Sequence, residues 1–313
     1  MLTKVNVKWK EDAVSHFMTE LIDYAGLFPP AALSLTEAIK NYHSYIHGPN
    51  SWMLGPFVLP ASRLGELEPF REQFNDQYPL RLSVILNNSW KFEADLMDAQ
   101  HFLETYKNAG CIEAIEVPLP SQVDFACLEE LDKQIACYRI FCEITGTNEQ
   151  LLAKLDLIQK INKISSRSFG IKYRMGGITS NMFPSEKQAA FVIHETKQRG
   201  LALKFTAGLH HPIRQYRKEV ETFMHGFVNV FTASIMVYCR SVNKATIQEI
   251  LLDENSTNFS FTTDTLSWRN LIVSSSEINH ARNFFAASYG SCSFDEPREE
   301  LGELAIFHGE GVR

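Results

Sequence analysis

Two short runs in the second half of the chain alternate basic with apolar side chains: Phe169-Gly-Ile-Lys-Tyr-Arg174 and Leu203-Lys-Phe-Thr206. Successive side chains of a strand point to opposite faces. Phe169, Ile171 and Tyr173 therefore share one face, and Lys172 and Arg174 the other. Leu203 and Phe205 are likewise opposed to Lys204 and Thr206. Glu116 and Glu143 stand at the ends of two earlier apolar runs, Ile112–Val117 and Tyr138–Ile144. If the apolar faces pack on helices, four successive strands bring Glu116, Glu143, Lys172 with Arg174, and Lys204 into one interior. Burying such a cluster costs several kcal/mol in desolvation, so stability alone is a poor reason to keep it, although a structural ion-pair network is the plainer alternative. Two carboxylates against three cations leave surplus positive charge. An anionic ligand balances it, or a lysine loses its proton because burial and its neighbours depress its pKa, which makes it nucleophilic.

Further polar groups follow the second run. Gly208-Leu-His-His-Pro212 carries His210 and His211. Neighbouring residues point apart, which argues against both holding one metal, and one of them as a general acid or base is the better expectation. In Met224-His-Gly-Phe-Val-Asn229, His225 and Asn229 are four apart and would share a helix face, reaching the site or serving only to cap and pack. In Tyr289-Gly-Ser-Cys-Ser-Phe-Asp-Glu-Pro297, Ser291 and Ser293 with the Gly290 amide could cradle a phosphate or carboxylate, the alternative being a tight turn. Asp295 there is expected to cap a final helix, and Cys292 has no evident partner. His194 falls within an outer helix and is assigned no role.

What must position these groups is a regular alternation of strand and helix. Strand-length apolar runs occur at Tyr24–Phe28, Met53–Leu59, Leu80–Leu86, Ile112–Val117, Tyr138–Ile144, Phe169–Arg174 and Leu201–Thr206. Amphipathic segments lie between them at Ser34–Ile46, Phe92–Ala109, Glu149–Ile164 and Ser185–Arg199. Ser34, Thr147 and Ser185 read as N-caps, the last with Gln188 as a capping box, and Gly110 and Gly200 as C-caps. Seven strands at a period of about 30 residues, without a glycine-rich nucleotide loop, predict a parallel (β/α)8 barrel over residues 1–313. For the eighth strand, Phe284–Tyr289 is preferred over Phe227–Phe231 and Phe259–Phe261. Residues 212–283 then form a largely helical excursion able to cap the active-site end.

Composition narrows the class. With 45% hydrophobic and 21% charged residues the chain is globular, and its net charge of −7 gives no support to binding nucleic acid or an acidic membrane over a broad face. Six cysteines without metal-ligand spacing read as free thiols in a reducing compartment. Charged residues interrupt the N-terminal apolar runs, and no stretch is long enough to span a bilayer, so a cytoplasmic location is expected. A homo-oligomer is compatible with all of this.

The strings LIDYAGLFPPA, KFTAGLHHP, MHGFVNV and GSCSFDEP resemble those of a widespread bacterial protein family, a resemblance that implies no particular activity. IKYRMGG and LKFTAGL, each with a KxxxG pattern, followed by GSCS, are similar to deoxyribose-phosphate aldolase and related class I aldolases. That resemblance implies a Schiff base at Lys172, perturbed by Lys204. Arg174 and Met175 stand where the aldolase motif has small hydroxylated residues.

The reading that joins these features is a lyase or aldolase acting on a small anionic carbonyl compound without a cofactor. Lys172 attacks the carbonyl, Lys204 tunes it, Glu143 or His210 moves protons, Glu116 completes the catalytic set, and Arg174, His211, Asn229, Ser291 and Ser293 bind substrate. Two alternatives remain open. One is a divalent-metal lyase or isomerase ligated by Glu116, Glu143 and His210 or His211. The other is a non-catalytic binding barrel.

Overall fold

The computed structural model describes residues 12–87, 90–135 and 139–304. Eight parallel strands close into a barrel: β1 (Ile22–Tyr24), β2 (Leu54–Pro60), β3 (Leu80–Ile85), β4 (Gly110–Pro118), β5 (Arg139–Ile144), β6 (Phe169–Arg174), β7 (Leu203–Thr206) and β8 (Ala286–Ser291). β8 closes the ring by pairing with both β1 and β7. The fold is the expected (β/α)8 barrel. Tyr138, expected to open β5, and Cys137 lie outside the described residues.

The outer layer forms from α2 (Leu35–Ile46), α3 (Glu93–Tyr106), α4 (Phe125–Gln134), α5 (Asn148–Asn162) and α6 (Glu186–Gln198), all but α3 opened by a side-chain cap. Ser34, Thr147 and Ser185 each complete a capping box, with Glu37, Gln150 and Gln188, satisfying amides that a helix start leaves unpaired. In α5, Leu151, Leu155, Ile158 and Ile161 recur at three- and four-residue spacing and are buried against the sheet. Between β2 and β3 a 3-10 stretch, Ala61–Gln73, replaces a helix; Pro69 within it cannot continue an α-helical ladder.

Some boundaries differ from expectation for local reasons. β1 is Ile22–Tyr24 and not Tyr24–Phe28, because the chain turns at once, the Phe28 amide donating to the Ala25 carbonyl. Gly200 has φ +64° and ends α6 as expected, and the Leu201 amide is still bound back to Thr196, so β7 starts only at Leu203. Gly110 follows the 3-10 turn Lys107–Ala109 as its C-cap but is extended and not left-handed; it opens β4, and a Cβ there would meet the Phe102 and Tyr106 rings at 2.7–2.8 Å.

Phe227–Phe231 belongs to a buried helix, α7 (Phe227–Arg240), and Phe259–Phe261 to a three-stranded antiparallel sheet outside the barrel. The segment between β7 and β8 holds α7, α8 (Lys244–Leu252) and α9 (Ser275–Phe284) together with a hairpin (Gln215–Arg217 and Thr222–Met224) and that sheet. It does not cap the C-terminal mouth as a unit. Its antiparallel sheet packs on α1 (Ala13–Met18), which leads into the N-terminal end of β1, through Phe17 and Phe261 and the Ala13 amide bound to the Thr263 carbonyl.

Glu195 ties α6 to α8, contacting Arg199 at 2.9 Å and Lys244 at 2.7 Å. Burial pushes its carboxyl up, but Lys244, Arg199 and His194 outweigh that and hold it down at about 2. A carboxyl lowered in the folded state adds stability that is present above its ordinary pKa and lost as pH falls through the folded value. Glu195→Gln is therefore expected to lower unfolding free energy by about 1–2 kcal/mol at pH 6 and to make no difference near pH 2, measured by urea unfolding at the two pH values. An equal loss at both would show that the charge is not the cause.

Candidate functional site

β6 and β7 run side by side with Lys172 opposite Lys204, so both ammonium groups enter the barrel at one level. Glu116 of β4 sits between them, its Oε2 at 2.6 Å from Lys172 Nζ and its Oε1 at 2.6 Å from Lys204 Nζ. Lys172 also reaches Glu143 of β5 at 2.8 Å, and Arg174 lies 3.7 Å from the other Glu143 oxygen. The alternation read from the sequence thus brings these five groups together. Lys172, Lys204 and Glu116 are buried, while 41% of the Arg174 side chain is exposed at the C-terminal mouth.

The interior holds more than those five. Asp23 of β1 contacts Lys204 at 2.5 Å and accepts from the Ser288 hydroxyl at 3.0 Å, and Ser83 of β3 donates to Glu116 at 2.6 Å. Gly170 leaves room for the Phe141 ring, over which Lys204 Nζ lies 5.5 Å from the centroid. With Asp23 counted, three carboxylates face three cations, and the surplus positive charge expected from the sequence is absent. The lysines are not depressed either. Burial disfavours each ammonium, but Glu116 and Glu143 outweigh it at Lys172, as Asp23 and Glu116 do at Lys204, so both are raised above the ordinary lysine value. Burial would also raise Glu116, yet its two lysines hold it well below the carboxylate range. Asp23 goes the other way: burial wins over Lys204 and its pKa is raised. Burial thus works against the Asp23 carboxylate, which Lys204 at 2.5 Å holds as its counter-charge.

A cavity of about 1150 Å³ opens at the N-terminal end of the barrel and reaches Asp23, Ser288, Phe141 and Lys204. Its wall comes from segments that precede or begin the strands, among them Glu20, Trp52, Arg81 and Arg139. Sequence reasoning placed all access at the C-terminal mouth and missed this opening.

The rim built by the loop after β7 and by α10 (Asp295–Glu303) is a second cluster. His210 Nδ1 lies 3.8 Å from Cys292 Sγ and 3.4 Å from Glu296, so Cys292 does have a histidine partner. Burial lowers the His210 imidazole, and Cys292 and Glu296 outweigh it, pushing it up to about 9. His211 is buried and its Nδ1 meets both Glu300 oxygens, at 2.8 and 2.9 Å. Among the described residues neither histidine touches the lysine–carboxylate core, so the acid–base role expected of His210 toward those lysines has no contact behind it.

Other expected binding groups serve the fold. Asn229 is fully buried and its amide is used up: Oδ1 accepts from the Arg214 amide, and Nδ2 donates to the carbonyls of Ile250 and Asp253. It stitches α7 to the chain around it. His225 binds the Pro184 carbonyl. The Ser291 hydroxyl accepts from the Ser293 amide, and Ser293 accepts from the Glu296 amide, which makes Ser293 rather than Asp295 the side chain that closes the start of α10. These serines form the tight turn and not an open anion cradle. Asp295 instead takes the Tyr45 hydroxyl at 2.7 Å and Arg298 at 2.6 Å.

Asp23 was missed because it fell one residue before the expected strand. With β1 set at Ile22–Tyr24, alternation alone would have turned it inward. Ser83, flanked by Leu82 and Val84, carried the same signal. No helix among the described residues is long and apolar enough to cross a membrane. No protein-family model matches this chain, and no curated protein is similar enough to it to count as a relative. The barrel itself is compatible with an aldolase-like enzyme.

Proposed function

We propose that the barrel interior is the active site of a lyase of the class I aldolase type, acting on a small anionic carbonyl compound through a Schiff base at Lys172. The observation that carries the reading is the setting of that lysine. Its ammonium is bracketed by Glu116 and Glu143 at 2.6 and 2.8 Å, and Arg174, two residues on along the same strand, is exposed above it. Arg174 can pair with the substrate's anionic group and draw Glu143 with it. Glu143 takes a proton from Lys172, the free amine adds to the carbonyl carbon, and the resulting carbinolamine loses water as the proton returns to its oxygen. Glu143, again a carboxylate, takes the proton of the substrate's β-hydroxyl as the Cα–Cβ bond breaks. The β-carbon leaves as an aldehyde, the bond's electron pair passes into the iminium to give an enamine, and protonation of the enamine carbon followed by hydrolysis with water frees the second product and Lys172. Lys204, held by Asp23 and Glu116, is the electrostatic partner, which agrees with the likeness of IKYRMGG and LKFTAGL to the aldolase lysines. Glu116 and Glu143 are engaged by lysines, which speaks against their serving as metal ligands.

The test is reduction with borohydride in the presence of a panel of small phosphorylated or carboxylated aldehydes and ketones, followed by peptide mass analysis. A reduced adduct at Lys172, lost in Lys172→Met, is the expected result. No adduct at either lysine across the panel would overturn the reading.

A further inference from the structure

We propose that His211, Glu296 and Glu300 form a binding site for a divalent transition-metal ion at the C-terminal rim, distinct from the lysine core. Glu296 and Glu300 are four residues apart on α10 and so share one helix face, which is turned toward the loop after β7. One ligand atom from each of the two and one nitrogen of His211 all lie within 4.8 Å of one another. Bound ions of the zinc class take such atoms at about 2.0–2.2 Å, which puts neighbouring ligands roughly 3–3.5 Å apart, so small side-chain rotations complete the site. One imidazole with two carboxylates suits zinc, cobalt, iron or manganese in the divalent state better than a thiolate-selecting or all-oxygen site would.

Two further observations point to a ligand here. Among the described residues neither Glu296 nor Glu300 forms an ion pair with a lysine or arginine; Arg217 pairs with Glu219, although its charge also acts on Glu296, and the partners of the two glutamates are His210 at 3.4 Å and His211 at 2.8 Å. The Tyr289 hydroxyl is wholly buried and has no hydrogen-bond partner among the described residues. Its ring stacks on Phe227, whose amide is bound to the His211 carbonyl, which joins Tyr289 to the loop that carries the histidine. A phenol there can donate to a water or anion carried by the ion. Three protein ligands leave coordination positions open, the pattern of an ion that binds a further ligand and not one that only staples the fold. This site does not depend on the lysine chemistry, and its test needs no substrate.

Protein stripped with a chelator is titrated with Co²⁺, Zn²⁺ and Mn²⁺, following bound metal by elemental analysis and Co²⁺ by its visible absorption. The expected result is one equivalent bound by the wild type, weakened at least tenfold in Glu296→Gln and in Glu300→Gln and abolished in the double variant. Both glutamates are partly exposed, so the variants should stay folded, which circular dichroism checks. No stoichiometric uptake by the wild type, or wild-type affinity in the folded double variant, would overturn the proposal.

Discussion

Glu116→Ala is expected to destabilise the protein by about 3–5 kcal/mol, the largest single-residue effect in the barrel interior. The reason is the position of Glu116 between two ammonium groups. One carboxylate, 1% exposed, contacts Lys172 and Lys204 at 2.6 Å each and takes the Ser83 hydroxyl at 2.6 Å. Its removal leaves two buried cations short of a partner in surroundings too dry to solvate them. Glu116→Gln should recover part of the loss, since an amide oxygen still accepts hydrogen bonds from the lysines but brings no charge. Replacing Asp23, Glu116, Lys172 and Lys204 together by apolar residues of similar size should be far milder than the single alanine, because two acids and two bases leave together and Glu143 keeps Arg174. Urea unfolding followed by circular dichroism measures all three. A loss under about 1 kcal/mol for Glu116→Ala would mean that the three charges are not one unit.

The second large effect is on reactivity. Both lysines are raised above the ordinary value by their carboxylates, so near neutral pH the amine form is scarce and its population grows about tenfold with each pH unit. Reductive trapping at Lys172 should therefore quicken by about 100-fold between pH 7 and pH 9, with no plateau in that range. A lysine tuned downward for catalysis would level off by about pH 8. Glu143→Gln removes one of the two carboxylates beside Lys172 and should shift the whole rise to lower pH. A rate independent of pH from 7 to 9 would show that Lys172 already reacts as a neutral amine, contrary to the charge pattern of the free site.

Much of this interior was legible in the sequence, because the period of a strand is two. Once Phe169, Ile171 and Tyr173 were assigned to the helix side, Lys172 and Arg174 had nowhere else to go, and the same step placed Lys204, Glu116 and Glu143. Asp23 escaped because β1 has only three residues, and an error of two in its start moves the one residue that matters out of the strand. The charge balance, and with Glu116 the upward shift of Lys204, turned on that residue, whereas Lys172 is raised by Glu116 and Glu143, which the alternation had already placed. The rim was illegible for another reason. His211 and Glu300 are 89 positions apart and meet only after β8 and α10 dock beside β7. Asn229 shows the converse: its residue type and its spacing from His225 suited a site, whereas its partners are the carbonyls at the end of α8.

The cavity at the N-terminal end gives the lysine core a second face. From Arg174 the contacts run through Glu143, Lys172, Glu116, Lys204 and Asp23 to Ser288, acid alternating with base across the barrel, and the last three line that basin. The file of ion pairs therefore spans the barrel from the partly exposed Arg174 at one mouth to groups lining the basin at the other, so a change of charge at either end bears on contacts that reach the opposite side.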